Sequence, residues 1–351
     1  MQPFTLPIST SPALTITGLV SIPTSASASP STIPGKISAP SAHRPLLVLL
    51  HGGSYDARYY DASPEHSIEP LATILGIPVI SLNRQGYKDS TPVSLPADGS
   101  TTSFKQQAHN LHTHILPALW EKYGRASGAT SLVLGGHSVG GMIAVVTASL
   151  HATTSKPSST SPSSTPSPTP TLPATASTAP APSYPLSGLL TTGISLHWHP
   201  SMLTSTPPLL QTDPSGTFIL WPNALRDALL LQPSSGRAPA TPSFTALHAT
   251  LNNPAPIAEV QESMLPPETS TWVAAAAHVS VPVLGLVGEF DALWDTGREG
   301  MRAFEGVWAG AKSVEVGVLG QAPHCAELGF GGRSVWLRVL GFAVGCAVAQ
   351  G

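Results

Sequence analysis

Gly136-His137-Ser138-Val139-Gly140 sets a serine between two glycines, directly after the apolar run Ser131-Leu132-Val133-Leu134 and before the small, apolar stretch Met142 to Leu150. Between a strand and a helix, Gly-x-Ser-x-Gly forms a strained turn that lifts the hydroxyl above a sheet and aims the helix N-terminus at developing negative charge. A serine hydroxyl is a weak nucleophile until a neighbouring base takes its proton, so a histidine and a carboxylate have to be found. His324, in Gly320-Gln321-Ala322-Pro323-His324-Cys325-Ala326-Glu327-Leu328, lies in a Gly/Pro-containing loop after the last strand pattern and before the last helix pattern. Such a loop can project its imidazole over a sheet, to accept the serine proton on one nitrogen while a carboxylate orients the other.

Three carboxylates compete for that orienting role. The apolar run Pro282 to Val287 feeds Gly288-Glu289-Phe290-Asp291-Ala292-Leu293-Trp294-Asp295. Asp291 is the choice, because a carboxylate a few residues past a strand and followed by an apolar pair can turn back toward a histidine loop. Glu289 and Asp295 are the reserves, and for each of the three the alternative is a solvated loop carboxylate. The strand ending at Leu196 is followed by His197, Trp198 and His199 instead of an acid, which favours Asp291. An acyl-transfer intermediate also needs backbone N–H donors for its oxyanion. His51-Gly52-Gly53-Ser54 follows a buried strand pattern, so Gly53 or Ser54 would supply one donor and Val139 the other; a plain tight turn is the alternative. His51 itself reads as a structural histidine beneath the loop. Tyr55, Trp198, Trp221 and Trp294 are candidates to line the mouth of the site, with ordinary core packing the competing explanation; if they line it, the substrate has a sizeable hydrophobic part.

The elements that must position these residues alternate. Ala13 to Ile22 shows the period-two pattern of a half-buried antiparallel strand, followed by a Ser/Pro/Ala-rich loop to about Arg44. Pro45 to Leu50, Pro78 to Leu82, Ser131 to Leu134, Leu186 to Leu196, Val281 to Gly288 and Ser313 to Leu319 read as strands, mostly as continuous apolar runs buried on both faces. Helices are predicted around Glu65 to Leu75, Phe104 to Tyr123, Met142 to Leu150, Thr296 to Trp308 and Val335 to Val348. Residues 153–183 are Ser, Thr, Pro and Ala with almost no charge, and read as a disordered insertion. Residues 201–277 carry short helical pieces such as Asn223 to Gln232 and Ile257 to Met264, and read as a lid. The resulting plan is an N-terminal part of the core over 1–152, the insertion over 153–183, a core strand over 184–200, the lid over 201–277 and a C-terminal part of the core over 278–351. This alternation predicts an α/β fold with a mostly parallel, doubly wound sheet and helices on both faces.

Composition excludes several other classes. Net charge is −3 and the 16 Lys and Arg are scattered, so no basic stripe exists to neutralise a phosphate backbone, and nucleic acid is not expected as a partner. Two cysteines make neither a disulfide framework nor a metal-ligand cluster, so both are expected to be reduced. No phosphate loop or dinucleotide fingerprint appears, and no cofactor is expected. The first seven residues lack a basic stretch followed by an apolar one, which makes a cytoplasmic location the default. Val335 to Val348 is interrupted by Arg338 and falls short of the roughly 20 residues of a membrane span, so it reads as a buried final helix.

Taken together, His51-Gly52-Gly53, Asn83-Arg84-Gln85-Gly86-Tyr87, Gly136-His137-Ser138-Val139-Gly140, Gly288-Glu289-Phe290-Asp291 and Pro323-His324 resemble the α/β-hydrolase superfamily across nearly the whole chain. That superfamily orders its residues serine, acid, histidine, and His324 is the one histidine after the acid. The resemblance implies Ser138 as nucleophile, Asp291 as acid, His324 as base and Gly53, Ser54 and Val139 as the oxyanion region, without metal or cofactor. The composition is similar to fungal members associated with secondary metabolism. Serine at the elbow disfavours dehalogenase and epoxide-hydrolase chemistry, which uses aspartate there. The leading expectation is hydrolysis of an ester, thioester or lactone of a hydrophobic small molecule. The rivals are lactone formation, acyl transfer or carbon–carbon cleavage by the same residues, and a ligand-binding protein or receptor on the same fold.

Overall fold

The computed structural model describes residues 1–10, 12–23, 43–155, 183–204, 211–231, 240 and 242–349. Most of the Ser/Thr/Pro-rich stretch expected as an insertion, residues 156–182, lies outside the described residues, as do 24–42 of the early loop. In chain order the strands are β1 (Gln2–Ile8), β2 (Leu14–Ser21), β3 (Pro45–Leu50), β4 (Val79–Leu82), β5 (Ser131–His137), β6 (Leu186–Thr192), β7 (Gln211–Thr212), β8 (Phe218–Leu220), β9 (Ala255–Pro256), β10 (Val283–Gly288) and β11 (Val314–Leu319). The α-helices are α1 (Glu69–Leu75), α2 (Ser103–Asn110), α3 (Leu116–Leu119), α4 (Val139–Ser155), α5 (Pro200–Thr204), α6 (Asn223–Leu230), α7 (Pro242–Thr250), α8 (Ile257–Ser263), α9 (Thr271–Ala276), α10 (Arg298–Gly306) and α11 (Gly332–Val348).

Eight strands form one sheet in the order β1-β2-β4-β3-β5-β6-β10-β11. The pairs β1–β2 and β2–β4 are antiparallel, and every pair from β4 onward is parallel. The continuous apolar runs are the interior strands, and β3, β4, β5, β6 and β10 are buried along their whole lengths. Such strands need cover on both faces, and alternate side chains of β3 show where it comes from. Leu46, Val48 and Leu50 belong to a cluster with Phe104 of α2, Met142 of α4 and Phe304 of α10. Leu47 and Leu49 belong to another, with Ala72 of α1 and Val335 and Trp336 of α11. Helix α4 is apolar around most of its circumference and correspondingly buried on nearly every side.

Three elements differ from the sequence reading, and the first is β1, which that reading did not mark as a strand. The helix expected from Phe104 to Tyr123 runs as α2, a π-helical turn over Leu111–Ile115, α3 and a second π-helical turn over Trp120–Gly124. Pro117 opens α3, and its missing N–H leaves a carbonyl of the preceding turn without its usual donor. The connection between β6 and β10, expected as helical pieces, also contains the three-stranded sheet β7-β8-β9. None of the helices among the described residues is long and apolar enough to cross a membrane.

Phe304 is fully buried against Gly285 of β10, between the rings of Trp272 and Trp308. Phe304→Ala is expected to destabilise the protein by about 3–5 kcal/mol through lost burial and the cavity left behind, measured as a fall in the urea midpoint.

Candidate active site

The parallel strands β3, β5, β10 and β11 all release their chains at the same end of the sheet, and the chemistry-bearing loops follow them. At the end of β5, Ser138 adopts φ 50°, the left-handed region that non-glycine residues seldom occupy. Its N–H donates to Thr192 O at 2.8 Å and its carbonyl accepts from Met142 N at 3.1 Å, so the turn is stitched to β6 on one side and begins α4 on the other. The flanking glycines are demanded by close approach. A Cβ on Gly136 would collide with the Gly140 backbone, and one on Gly140 would collide with the carbonyls of Leu50 and His51. The first turn of α4 therefore rests directly on the end of β3. Ser138 is half-buried, and its hydroxyl has no hydrogen-bond partner among the described residues.

Asp291 and His324 meet below 3 Å. His324 Nδ1–H donates to Asp291 Oδ2 at 2.8 Å, while Asp291 Oδ1 accepts from the amides of Leu293 (2.8 Å) and Trp294 (3.2 Å). Both side chains are buried. The reserve acids are engaged elsewhere: Glu289 Oε2 accepts from the amide of Gln321, and Asp295 Oδ1 from the amide of Gly297. The His324 ring lies 4.9 Å from that of His137, the residue before Ser138.

The loop after β3 closes over the elbow. A Cβ on Gly52 would sit 3.3 Å from Ser138 Cβ, and one on Gly53 would sit 3.6 Å from a Val139 methyl. The amides of Gly53 and Val139 have no acceptor among the described residues. The Ser54 amide is spoken for, donating to Tyr87 Oη at 3.4 Å. His51 is buried under this loop. Its Nε2 accepts from the amide of Arg84 (3.2 Å), so Nδ1 carries the proton and donates to Gly52 O (2.8 Å). Burial, helped by the charge of Arg84, pushes the His51 pKa down to about 3, so the ring stays neutral.

Of the four aromatic residues, two are removed from open space. Tyr55 is buried, with its hydroxyl between His248 Nε2 (2.6 Å) and Cys325 Sγ (3.1 Å), and it therefore packs beneath the loop instead of lining a mouth. Trp294 is buried and donates from Nε1 to Gly193 O. Trp198, half-buried, stacks on it at 4.2 Å and presents the outer face of the pair. Trp221 is half-buried after β8, and its carbonyl accepts from Asn252 Nδ2. A surface groove of about 620 Å³ between α2, α4 and α9 is lined by residues such as Lys105, His109 and His278, and not by Ser138, Asp291 or His324.

Polar side chains also pack beneath the Ser138 turn, most of them with no signature in the sequence. His137 Nδ1 bonds Thr192 Oγ1 (3.1 Å), whose hydroxyl donates to Glu327; Tyr59 Oη donates to the other Glu327 oxygen at 2.7 Å. Burial pushes the Glu327 carboxyl up and the His137 pKa well down. Arg84, Glu259 and Arg226, all buried, hold the loop after β3. Arg84 falls within the Asn83-to-Tyr87 motif that the sequence reading marked. Glu259 and Arg226 lie in short helices, where a charge ordinarily marks a solvated face.

No protein-family model and no curated relative matches the chain. Solved structures do. The chain is similar to a soluble variant of monoglyceride lipase from Saccharomyces cerevisiae (TM-score 0.61, 14% identity, covering 98% of this chain and 95% of that one). It is similar also to a thermophilic esterase from Thermogutta terrifontis (0.57, 15%, covering 99% and 100%) and to a proline iminopeptidase from Mycobacterium smegmatis (0.55, 18%, covering 99% and 100%). With its strand order, its left-handed serine turn and these likenesses along almost the full length, the chain has the α/β-hydrolase fold.

Proposed function

We propose that the protein is a serine hydrolase that cleaves an ester, thioester or lactone bond of a hydrophobic small molecule through an acyl-enzyme on Ser138. The observation that carries this reading is the 2.8 Å hydrogen bond from His324 Nδ1 to Asp291, which leaves Nε2 as the ring's proton acceptor beside the Ser138 turn. His324 Nε2 takes the Ser138 proton as Oγ attacks the acyl carbon, and Asp291 keeps the proton on Nδ1 and balances the imidazolium that forms. The amides of Gly53 and Val139 donate to the oxyanion. His324 then protonates the leaving group and activates the water that frees Ser138. The Trp198 face supports a hydrophobic substrate. The esterase and lipase among the structural likenesses accord with ester chemistry, although the fold alone carries other reactions.

The other buried histidines near the elbow are poor bases. His51 is held neutral with both ring nitrogens engaged, and burial holds His137 neutral on Thr192 and Cys325. His248 is pushed down to about 3 by burial and by the charge of Arg226.

A fluorophosphonate probe is expected to label Ser138, located by peptide mass spectrometry, and p-nitrophenyl ester turnover should fall by about 10⁴-fold or more in Ser138→Ala and His324→Ala. Asp291→Asn should cost about 10⁴-fold in kcat, since it stabilises the wrong tautomer of His324. Labelling elsewhere, or turnover that survives Ser138→Ala, would overturn the assignment. The neutral histidines also set an acid limit on stability. The unfolded chain protonates them near pH 6.5, whereas folded His51 and His248 stay neutral to about pH 3, so the unfolded state binds more protons throughout that window. Stability is therefore expected to fall as pH drops from 7.5 to 5, read as a Tm lower by several degrees; a flat Tm would mean that these rings charge in place.

A further inference from the structure

The Gly53 amide points where it does because the peptide before it is gripped from the other side. Gly52 O accepts from Arg84 Nη2 (3.2 Å) and from His51 Nδ1 (2.8 Å). In a planar trans peptide the C=O and the following N–H point in opposite directions. Anchoring this carbonyl on Arg84 turns the Gly53 N–H away from Arg84. Arg84 also donates through Nε to His51 O at 2.7 Å. Its counter-charge, Glu259, comes from α8 in the β6–β10 connection, paired with both Arg84 terminal nitrogens and accepting from Tyr87 Oη at 2.7 Å.

Ser54 is held from the same connection. It sits at φ 59°, strained for a serine. Its carbonyl accepts from the amide of Asn253 (2.9 Å), and its hydroxyl accepts from Arg226 Nε (2.9 Å). Arg226 is fully buried on α6, with its guanidinium 4.1 Å from the centre of the Tyr55 ring and its other hydrogen bonds going to the carbonyls of His248 and Leu251. No carboxylate lies within ion-pair distance of Arg226 among the described residues. Burying a cation without a paired anion opposes folding, and among the described residues Ser54 is the one side chain that Arg226 hydrogen-bonds.

Resting on the serine-hydrolase reading, the geometry points to Arg226 and Glu259 as positioning residues: the β6–β10 connection assembles the oxyanion site by fixing the Gly52–Gly53–Ser54 backbone from both ends. Neither side chain touches the reacting atoms. Their effect falls on the transition state, where the Gly53 N–H must meet a developing charge.

The test uses the full chain and a p-nitrophenyl ester, with Arg226→Lys, Glu259→Gln and Ser54→Ala, each checked for folding by circular dichroism. Misplacing one oxyanion donor is expected to lower kcat about ten- to a hundredfold with KM little changed. Affinity for a trifluoromethyl ketone, which forms a tetrahedral oxyanion adduct, should weaken by the same factor as kcat/KM, while a non-reactive ether analogue binds as to the wild type. Arg226→Lys combined with Ser54→Ala should be no slower than the slower single variant, because both act through one hydrogen bond. If Arg226→Lys fails to fold, Ser54→Ala carries the test, since it keeps every buried charge. Folded variants with wild-type kcat, a loss confined to KM, or additive losses would overturn the inference while leaving Ser138-dependent turnover intact. Wild-type turnover that survives Ser138→Ala would overturn the serine reading and this inference with it.

Discussion

The left-handed backbone at Ser138 costs about 1 kcal/mol or more relative to ordinary geometry, and the surrounding structure over-determines it. Strand β5 is buried along its whole length, α4 is buried on most sides, and the two meet with one residue between them. Only glycine at 136 and 140 lets α4 start close enough to β3 for that residue to turn upward. The approach also brings the loop after β3 within van der Waals reach of Ser138 and Val139. Ser138 and the start of α4 are consequently placed by one packing constraint that belongs to the sheet.

Polar organisation beneath the turn follows from the same burial. An imidazole, a carboxyl or a guanidinium withdrawn from water must find partners or lose its charge. The histidines take the second course, and Arg84 with Glu259 takes the first. His324 is the exception, because its loop after β11 sets one nitrogen on a carboxylate and leaves the other without a hydrogen-bond partner among the described residues. What separates His324 from the other imidazoles is hydrogen-bond saturation: His51, His137 and His248 have both ring nitrogens engaged.

Much of this was legible in the sequence because its cause is local. Continuous apolar runs mark interior parallel strands, and β3, β5 and β10 stand where those runs lie. A Gly-x-Ser-x-Gly between such a run and an apolar helix leaves little choice of geometry, and Ser138 takes the left-handed turn that the motif implies. What was not legible depends on distant partners. β1 carries Pro3 and Pro7, which argue against a strand until its place at the sheet edge supplies the reason they are tolerated. Tyr55 follows the loop after β3 in sequence and so suggested a pocket wall, yet its hydroxyl is drawn down to His248 and Cys325, nearly 200 and 270 positions away. Glu259 and Arg226 look like surface charges on short helices because nothing nearby in sequence announces the carbonyls and hydroxyl that receive them.

Asp227, His248, Tyr55, Cys325, His137, Thr192 and Glu327 form an unbroken run of polar contacts from the β6–β10 connection to the floor beneath Ser138. A segment wired into the core in this way is not an interchangeable module. Exchanging a connection that only covers the sheet would alter no more than which molecules enter. Here a graft would also strip partners from the residues under Ser138, so what the connection admits and how the floor beneath Ser138 is held change together, and a change in the first alone is reached more readily by point substitutions on the outer surface of the connection than by replacing it whole.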